Sequence, residues 1–512
     1  MYIIRNILVD INDNGKLSSH IAKKFNLKVE QISDLEIVRR SIDARKRGRI
    51  KFNYTAHCEL SGKFRSNPEI VEYKPKQAKP LFQNKLTSEH PFIIGAGPSG
   101  LFAALALVEQ GFTPHIFDRG DSIIERSIKV GEFWETGKLD PDSNVQFGEG
   151  GAGAFSDGKL TSRGKDPYTA DVYNKLIEFG ADKDIRINAL PHLGTDGVKK
   201  ITTNIRKYLE SKGCEFHFRS KLTNLDVTGN KLKRVAINDE WFEPEICILA
   251  IGNGARDTYE MLVTKINMES KSFAIGFRIE HSQQFINDSF YGKNANIKLL
   301  GAAPYRLTAQ HEKRGIYSFC VCPGGEIIAS SSAPGQIVTN GMSFSSRDNF
   351  YTNSAIVTAV GPEDFGKGIL DGMNYQKRIE ETCFNPDKPY YAPTQKADHF
   401  MQKIKSDKQN FSSYRPMTYN ADLNDIFDKS VYSALKTGLA KFDKSAPGFI
   451  ENGILVAPET RTSSPVRMLR DRETFQAVGI ANIFPIGEGS GYAGGIMSSA
   501  VDGYKLGKTF CK

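Results

Sequence analysis

Cysteine is sparse in this chain and follows no framework. The seven thiols fall at 58, 214, 247, 320, 322, 383 and 511. An odd count with no repeating interval argues against a disulfide scaffold and for a reducing compartment. No C-x2-C or H-x3-H spacing occurs among them and the nine histidines, so no zinc motif is present and the expected metal complement is none. Long apolar runs are missing as well. The most apolar stretch, residues 91–108, is interrupted by GAGPSG and is too short to span a bilayer. The opening run MYIIRNILVDINDNG is broken by Asp10 and Asp13, with no small-residue cleavage site after it. A cytoplasmic protein is expected. Nucleophile-elbow, P-loop and kinase signatures are also absent.

What is present is an ordinary globular composition on a long chain. The 512 residues are 39% hydrophobic and 25% charged, which predicts two or three domains with cores large enough to need no staples. The net charge of +9 is uneven, because residues 1–90 hold 18 Lys and Arg against 10 Asp and Glu. Two readings stand: a solvated basic face, or a contact for an acidic partner, nucleic acid included. The pattern over 1–73 predicts a small α+β module, with an apolar strand first and a helix over 17–25. Extended stretches follow at 35–42 and 50–60. The Lys- and Pro-rich stretch at 74–90 reads as a linker.

From residue 91 the chain alternates between strand and helix patterns. Residues 91–94 predict a strand, GAGPSG a turn, 101–110 an apolar helix and 114–118 a second strand. Gly95, Gly97 and Gly100 form GxGxxG in that context. They serve the tight turn, the close approach of a diphosphate to backbone, and close helix–strand packing. The helix N-terminus adds partial positive charge. Asp118 closes the second strand 23 residues after Gly95, where a ribose-binding carboxylate is expected. Pro98, Ser99 and Arg119 fall within the same turn and strand end. FAD and NAD share this fingerprint.

A second strand–turn–helix, at 483–506, favours FAD. Gly487 and Glu488 form its turn, and Gly494, Gly495 and Ile496 open its helix. A helix N-terminus aimed at a flavin would stabilise the reduced anionic ring, by about 0.3–1 kcal/mol. Glu488 is expected on ribityl or ribose hydroxyls. Between the two lies QFGEGGAGAFSDGKLT (146–161), whose Gly150, Gly151 and Gly153 describe backbone passing close to a flat or phosphorylated group. The strand and turn ILAIGNG adds Ala250 and Gly252. GNGARD (252–257) is an incomplete fingerprint, with Asp257 where a third glycine would fall, so a separate nicotinamide domain is not expected. Residues 268–460, richer in strand and turn signals, predict an inserted α+β substrate domain that splits the dinucleotide domain into 91–267 and 461–512.

The strings GAGPSG, DRG (118–120), QFGEGGAGAFSDGKLT, PHLGTDG (191–197), IGFRIEH (275–281), YSFCVCPGGE (317–326), TNGMSFSSRD (339–348), RTSSPVR (461–467) and GEGSGYAGGIMSSAVDG (487–503) occur in this order. Together with SIDARK (41–46) they resemble the bacterial FAD-dependent, or NAD(FAD)-utilising, dehydrogenases. The resemblance covers most of the chain. It implies FAD in a glutathione-reductase-like domain and names no substrate. Asp118 stands where such proteins commonly carry Glu.

The expected function is hydride transfer through FAD to or from a small molecule, with NAD(P)H as a transient donor. The alternatives are a flavin-dependent RNA-modifying or nucleic-acid-binding protein and a non-catalytic flavin scaffold. Candidate reacting groups are Cys322 with Cys320, as a redox pair or as packed thiols. Arg347, Arg461, Arg467 and Arg470 suit an anionic group or structural ion pairs. His281 suits acid–base work.

Overall fold

The computed structural model describes residues 1–46, 49–74, 81–161, 166–404 and 410–512. Its class is α/β, with a Rossmann-like layer interrupted by a second, mainly antiparallel unit. The first unit is a four-stranded antiparallel sheet in the order Ile32–Asp43, Lys51–Leu60, Tyr2–Asp10, Ile70–Glu72. The helix Leu17–Phe25 buries Ile21 and Ala22 in a core with Ile4, Ile7 and Ala56. Arg40 ties this sheet to the rest, donating to Asn188 Oδ1 at 2.9 Å and to Asp184 Oδ2 at 2.9 Å. Of the expected linker, residues 75–80 lie outside the described residues. Its later part is not free chain: Asn84–Lys85 pairs in parallel with Phe510–Cys511, and Leu86 is buried.

The dinucleotide-binding layer is a five-stranded parallel sheet. Its order is Ile483–Pro485, Cys247–Leu249, Phe92–Ile94, His115–Phe117, Glu215–His217. The three central strands are short and almost wholly apolar because both faces are covered. Helices Pro98–Glu109, Gly194–Ser211 and Ile496–Gly507 cover one face. A three-stranded meander between residues 222 and 242 covers the other, with Leu225, Leu232 and Val235 against Ile94, Phe117 and Leu249. The first and last helices touch backbone to backbone. A Cβ at Gly503 would lie 1.9 Å from Ser99 O, so only glycine permits this crossing.

The inserted unit is a seven-stranded sheet: Thr308–His311, Arg314–Cys322, Tyr351–Val360, Phe273–Ser282, Ile454–Glu459, Ala392–Lys396, Thr418–Asn420. Along Phe273–Ser282 the side chains alternate. Ile275, Phe277 and Ile279 join a helix-covered core with Leu435, Leu439 and Phe442, while Arg278 points to the opposite face. The helix Lys429–Ser445 supplies much of that cover, in a region whose sequence reads mainly as strand and turn. Among the described residues no helix is long and apolar enough to cross a membrane.

Candidate functional site

A cavity of about 1130 Å³ separates the parallel sheet from the inserted sheet. That is larger than the ~300–1,000 Å³ typical of small-ligand pockets. Its floor is backbone. Gly95, with φ +110°, sits so close to Ala250 that a Cβ would lie 2.3 Å from the Ala250 carbonyl oxygen. Gly97 faces Gly151, and Pro98 and Ser99 begin the first helix beside them. That helix and Ile496–Gly507 start at Gly97 and Gly495, and neither start has a side-chain cap. Two helix N-termini, the usual sites for phosphate and other anions, therefore border one cavity. Gly252, Gly494 and Gly495 line it too, and a Cβ added to any of them would meet no protein atom within 4 Å. The unfilled space before these glycines and the exposed helix starts fit a long, flat, diphosphate-bearing group such as FAD.

Most cofactor candidates from the sequence meet here. Asp118, Arg119, Gly151, Gly153, Ala250, Glu488 and Ile496 border the cavity. Asp118 is buried, which pushes its carboxyl up against two backbone hydrogen bonds that lower it. Those bonds come from Ala96 N at 2.8 Å and Gly120 N at 2.9 Å, one to each oxygen, leaving each a further acceptor site for a ribose hydroxyl. Arg119 is held over the Phe147 ring at 4.0 Å and paired with Asp142 and Asp257. Gly100, Gly150 and Gly487 stand behind the wall. A Cβ at Gly100 would collide with Gly95 O at 1.9 Å, one at Gly150 would meet Ala154 and Thr202, and one at Gly487 would meet Ser99 Oγ.

The reacting candidates divide differently. His281 is displaced from the site by strand alternation. It shares the core-facing side of its strand, donates from Nε2 to Phe449 O at 2.7 Å, and burial pushes its imidazole down to about 4. A general acid–base role has no geometric support there. The three arginines of 461–470 do not converge. Arg467 lies outside the cavity in a partly exposed pair with Glu269 at 2.8 Å, so substrate capture by it is not supported either. Arg470 is fixed by Asp502 and Pro485 O. Arg461 reaches the cavity wall but is committed, with Arg256, to the buried Glu380. Burial opposes ionisation of Glu380, yet these two guanidinia hold it down at about 2. Arg347, at φ +49°, does line the cavity and grips Asp157 through Nε and Nη2.

The glycine-rich loop 146–161 and the inserted sheet together form a compact charged cluster. Cys320 lines the cavity, and Cys322 is buried just behind it. Lys159 Nζ lies 4.0 Å from Cys320 Sγ, 3.9 Å from Cys322 Sγ and 3.2 Å from Asp157 Oδ2. Burial disfavours its charge, but the two thiols and Asp157 hold Lys159 up at about 12. Asp157 is buried too, yet Lys159 and Arg347 bring it down to about 2. Arg278, fully buried, donates to Cys320 O at 2.9 Å, to Asn353 Oδ1 at 2.8 Å and to Glu459 Oε2 at 3.0 Å. Glu488 accepts from Asn253 Nδ2 at 2.8 Å, and burial pushes its carboxyl up to about 7 although Lys271 works against this.

Asp157, Lys159, Arg278 and Asn253 are the residues that sequence reasoning missed. An arginine inside the apolar strand IGFRIEH and an Asp-Gly-Lys inside a glycine run were the available signals. His115, Glu215 and His217, at no metal-ligand spacing in the sequence, bring their ligand atoms within 4.8 Å of one another. They are adjacent only because their strands pair in parallel. Phe92 stacks on His115 and Phe117 on His217, which accounts for both rings as sheet-face residues.

Comparison with known proteins agrees with this geometry. Residues 272–462 match the FAD-dependent protein C-terminal domain, 93–124 an NAD(P)-binding Rossmann-like domain and 1–59 a domain of unknown function. An uncharacterized protein of Clostridium beijerinckii is 41% identical over 518 residues, covering 98% of this chain and 97% of its own. Among solved structures, CtdE in complex with FAD is 10% identical with a TM-score of 0.30, over 81% of this chain and 82% of that one. The flavin-dependent halogenase CmlS is 12% identical with a TM-score of 0.36, over 80% and 56%. Neither likeness is close enough to bear on the reaction. The chain thus belongs, with its Clostridium relative, to the FAD-dependent protein family, and FAD is its cofactor.

Proposed function

We propose that this protein is an oxidoreductase that exchanges electrons between a nicotinamide donor and a small molecule bound in the cavity. The observation that carries the reading is that the charged cluster shared by the glycine-rich loop and the inserted sheet lines the same cavity as the two glycine-fronted helix starts. FAD, when bound, supplies the hydride transfer with the nicotinamide donor. The chain's own part is to bind, orient and hold protons. The two helix N-termini favour the anionic portions of the cofactor. Lys159 and Arg347 share the single carboxylate Asp157, so the wall keeps a surplus positive charge suited to a negative group at the cavity, whether of the substrate or of the wall itself. Glu488, held at about 7, stores or releases a proton at neutral pH, as an acid–base group must. The scattered, free cysteines support a reducing, cytoplasmic setting.

The test is an anaerobic absorbance spectrum of the FAD-loaded protein before and after NADH, then NADPH. Bleaching of the flavin band by one nucleotide supports the reading and names the donor. A band unchanged by both removes the nicotinamide-linked function.

A further inference from the structure

Cys320 and Cys322 occupy an irregular point of their strand. The pairing of Arg314–Cys322 with Tyr351–Val360 runs from Phe319 opposite Ala355 to Cys322 opposite Asn353, so the cysteine strand carries an extra residue there. The extra turn of backbone falls on Cys320, a non-glycine residue at φ +48°. Such a left-handed conformation is costly for a residue with a Cβ and persists where surrounding structure imposes it. Here Arg278 imposes it by bonding the Cys320 carbonyl, and the Cys322 thiol donates to the same oxygen at 3.3 Å. Gly341 leaves the room: a Cβ there would lie 2.3 Å from Arg278 Nη2 and 2.7 Å from Cys322 Sγ. Both sulfurs converge on Lys159 Nζ. One thiol opens on the cavity and the other lies behind it, an asymmetry that packing alone does not require.

We propose that Cys320 and Cys322 form a redox-active dithiol that reduces a low-molecular-weight disulfide admitted to the cavity. Cys320, as thiolate, attacks one sulfur of the substrate, and the S–S bond breaks to release the first thiolate, which takes a proton from solvent. Cys322 then gives up its proton and attacks Cys320 Sγ. The mixed disulfide breaks, and the second thiol leaves carrying that proton. Two electrons have passed to the substrate, and the chain is left with a Cys320–Cys322 disulfide. A hydride from the nicotinamide donor restores the starting pair, Cys320 as thiolate and Cys322 as thiol, and for that step alone the inference rests on the function proposed above.

The roles follow from the surroundings. The neighbouring Cys322 thiol, then the charges of Lys159 and Arg278, draw the Cys320 thiol below its ordinary range against the opposing effects of burial and Asp157. The neighbouring Cys320 sulfur and burial hold Cys322 protonated. Low-pKa thiols beside cations are the reactive ones. Glu459 is paired with Arg278 and Asp157 with Lys159 and Arg347. Glu488 adds a charge on the cavity side only when ionised. Lys159 and Arg278 are positioning residues, acting through the sulfur.

The experiment uses FAD-loaded protein without nicotinamide, equilibrated anaerobically in mixtures of reduced and oxidised glutathione, then alkylated and digested for mass analysis. We expect the peptide bearing both cysteines to lose two hydrogens reversibly as the mixture becomes oxidising. Cys322→Ser should instead trap glutathione on Cys320. In mildly acidic buffer, Cys320 should alkylate several-fold faster than the partly exposed Cys511. Lys159→Met should remove that advantage, and Lys159→Arg should restore most of it. No internal disulfide at any ratio, or alkylation of Cys320 no faster than of Cys511, overturns the proposal. Because no nicotinamide is present, these outcomes stand apart from the bleaching test.

Discussion

The two walls of the cavity are built from different materials. The dinucleotide wall is backbone: glycine turns and two helix starts, each encoded within a few consecutive residues. The opposite wall is side chain: Lys159 and Asp157 from a loop, Arg278, Cys320 and Cys322 from the two strands that flank Tyr351–Val360, and Glu380 and Arg461 from farther on. The first can be read locally because its geometry depends on residue type alone. The second forms only when segments more than a hundred residues apart are brought together, as Lys159 and Cys320 are. Changes in the side-chain wall should therefore cost charge balance, and changes in the backbone wall should cost shape.

The largest effect is expected at Glu380. Glu380→Ala takes from Arg256 and Arg461 their shared carboxylate and leaves them only neutral partners such as Gln336 and Ser332, at a cost of about 3–5 kcal/mol, measured by denaturant unfolding. The sign of its pH dependence follows from its low value. Ionised Glu380 stabilises the fold above its ordinary 4.5, and that contribution disappears as pH falls toward about 2. The variant should lack this acid limb. If it unfolds as the parent does, the side-chain wall is not held by charge.

Gly503→Ala comes next. Its methyl would press on the Ser99 carbonyl and prise apart the two helices whose N-termini face the cavity. Overpacking of this kind costs about 1–3 kcal/mol, and flavin retention should fall with it, as gel filtration with absorbance would detect. Wild-type retention would show that the crossing is not needed for the cofactor.

Glu488 sharpens the comparison, since it sits on the backbone wall but acts through its side chain. A step that needs its protonated form should slow as pH rises through about 7, and Glu488→Gln should flatten that limb of the kcat/KM profile. Because folding raises this carboxyl above its ordinary 4.5, it weighs against the fold increasingly from there up to about pH 7. The Gln variant should therefore melt higher than the parent above that range. An unchanged profile and melting curve would remove Glu488 from proton handling. Smallest of all is Arg467→Ala, which breaks a partly exposed pair outside the cavity and should cost under about 1 kcal/mol with activity intact. A large loss of activity would restore the substrate role that its sequence neighbourhood suggested.

Legibility followed the same division. The α/β class, the helix Leu17–Phe25 and the strand–turn–helix at each end of the dinucleotide layer were readable from period and turn chemistry. The helix Lys429–Ser445 was missed although Val431, Ala434, Leu435, Leu439 and Phe442 recur at helical spacing, with Gly438 the one small residue on that buried face. His281 illustrates the second limit. Its strand was visible, but nothing local says which side of a sheet buried on both faces looks into a cavity. Arg461 and Arg467 illustrate a third, for their partners Glu380 and Glu269 are remote in sequence.

The most direct test of the central claim, that FAD fills the space before the glycines, is flavin retention by Gly494→Phe. The new side chain meets no protein atom within 4 Å of its Cβ and would occupy the cavity itself. We expect stoichiometric FAD on the parent chain, none on the variant, and the same unfolding midpoint for the two in their cofactor-free forms. Full retention by the variant, or no flavin on the parent after reconstitution, would contradict the account.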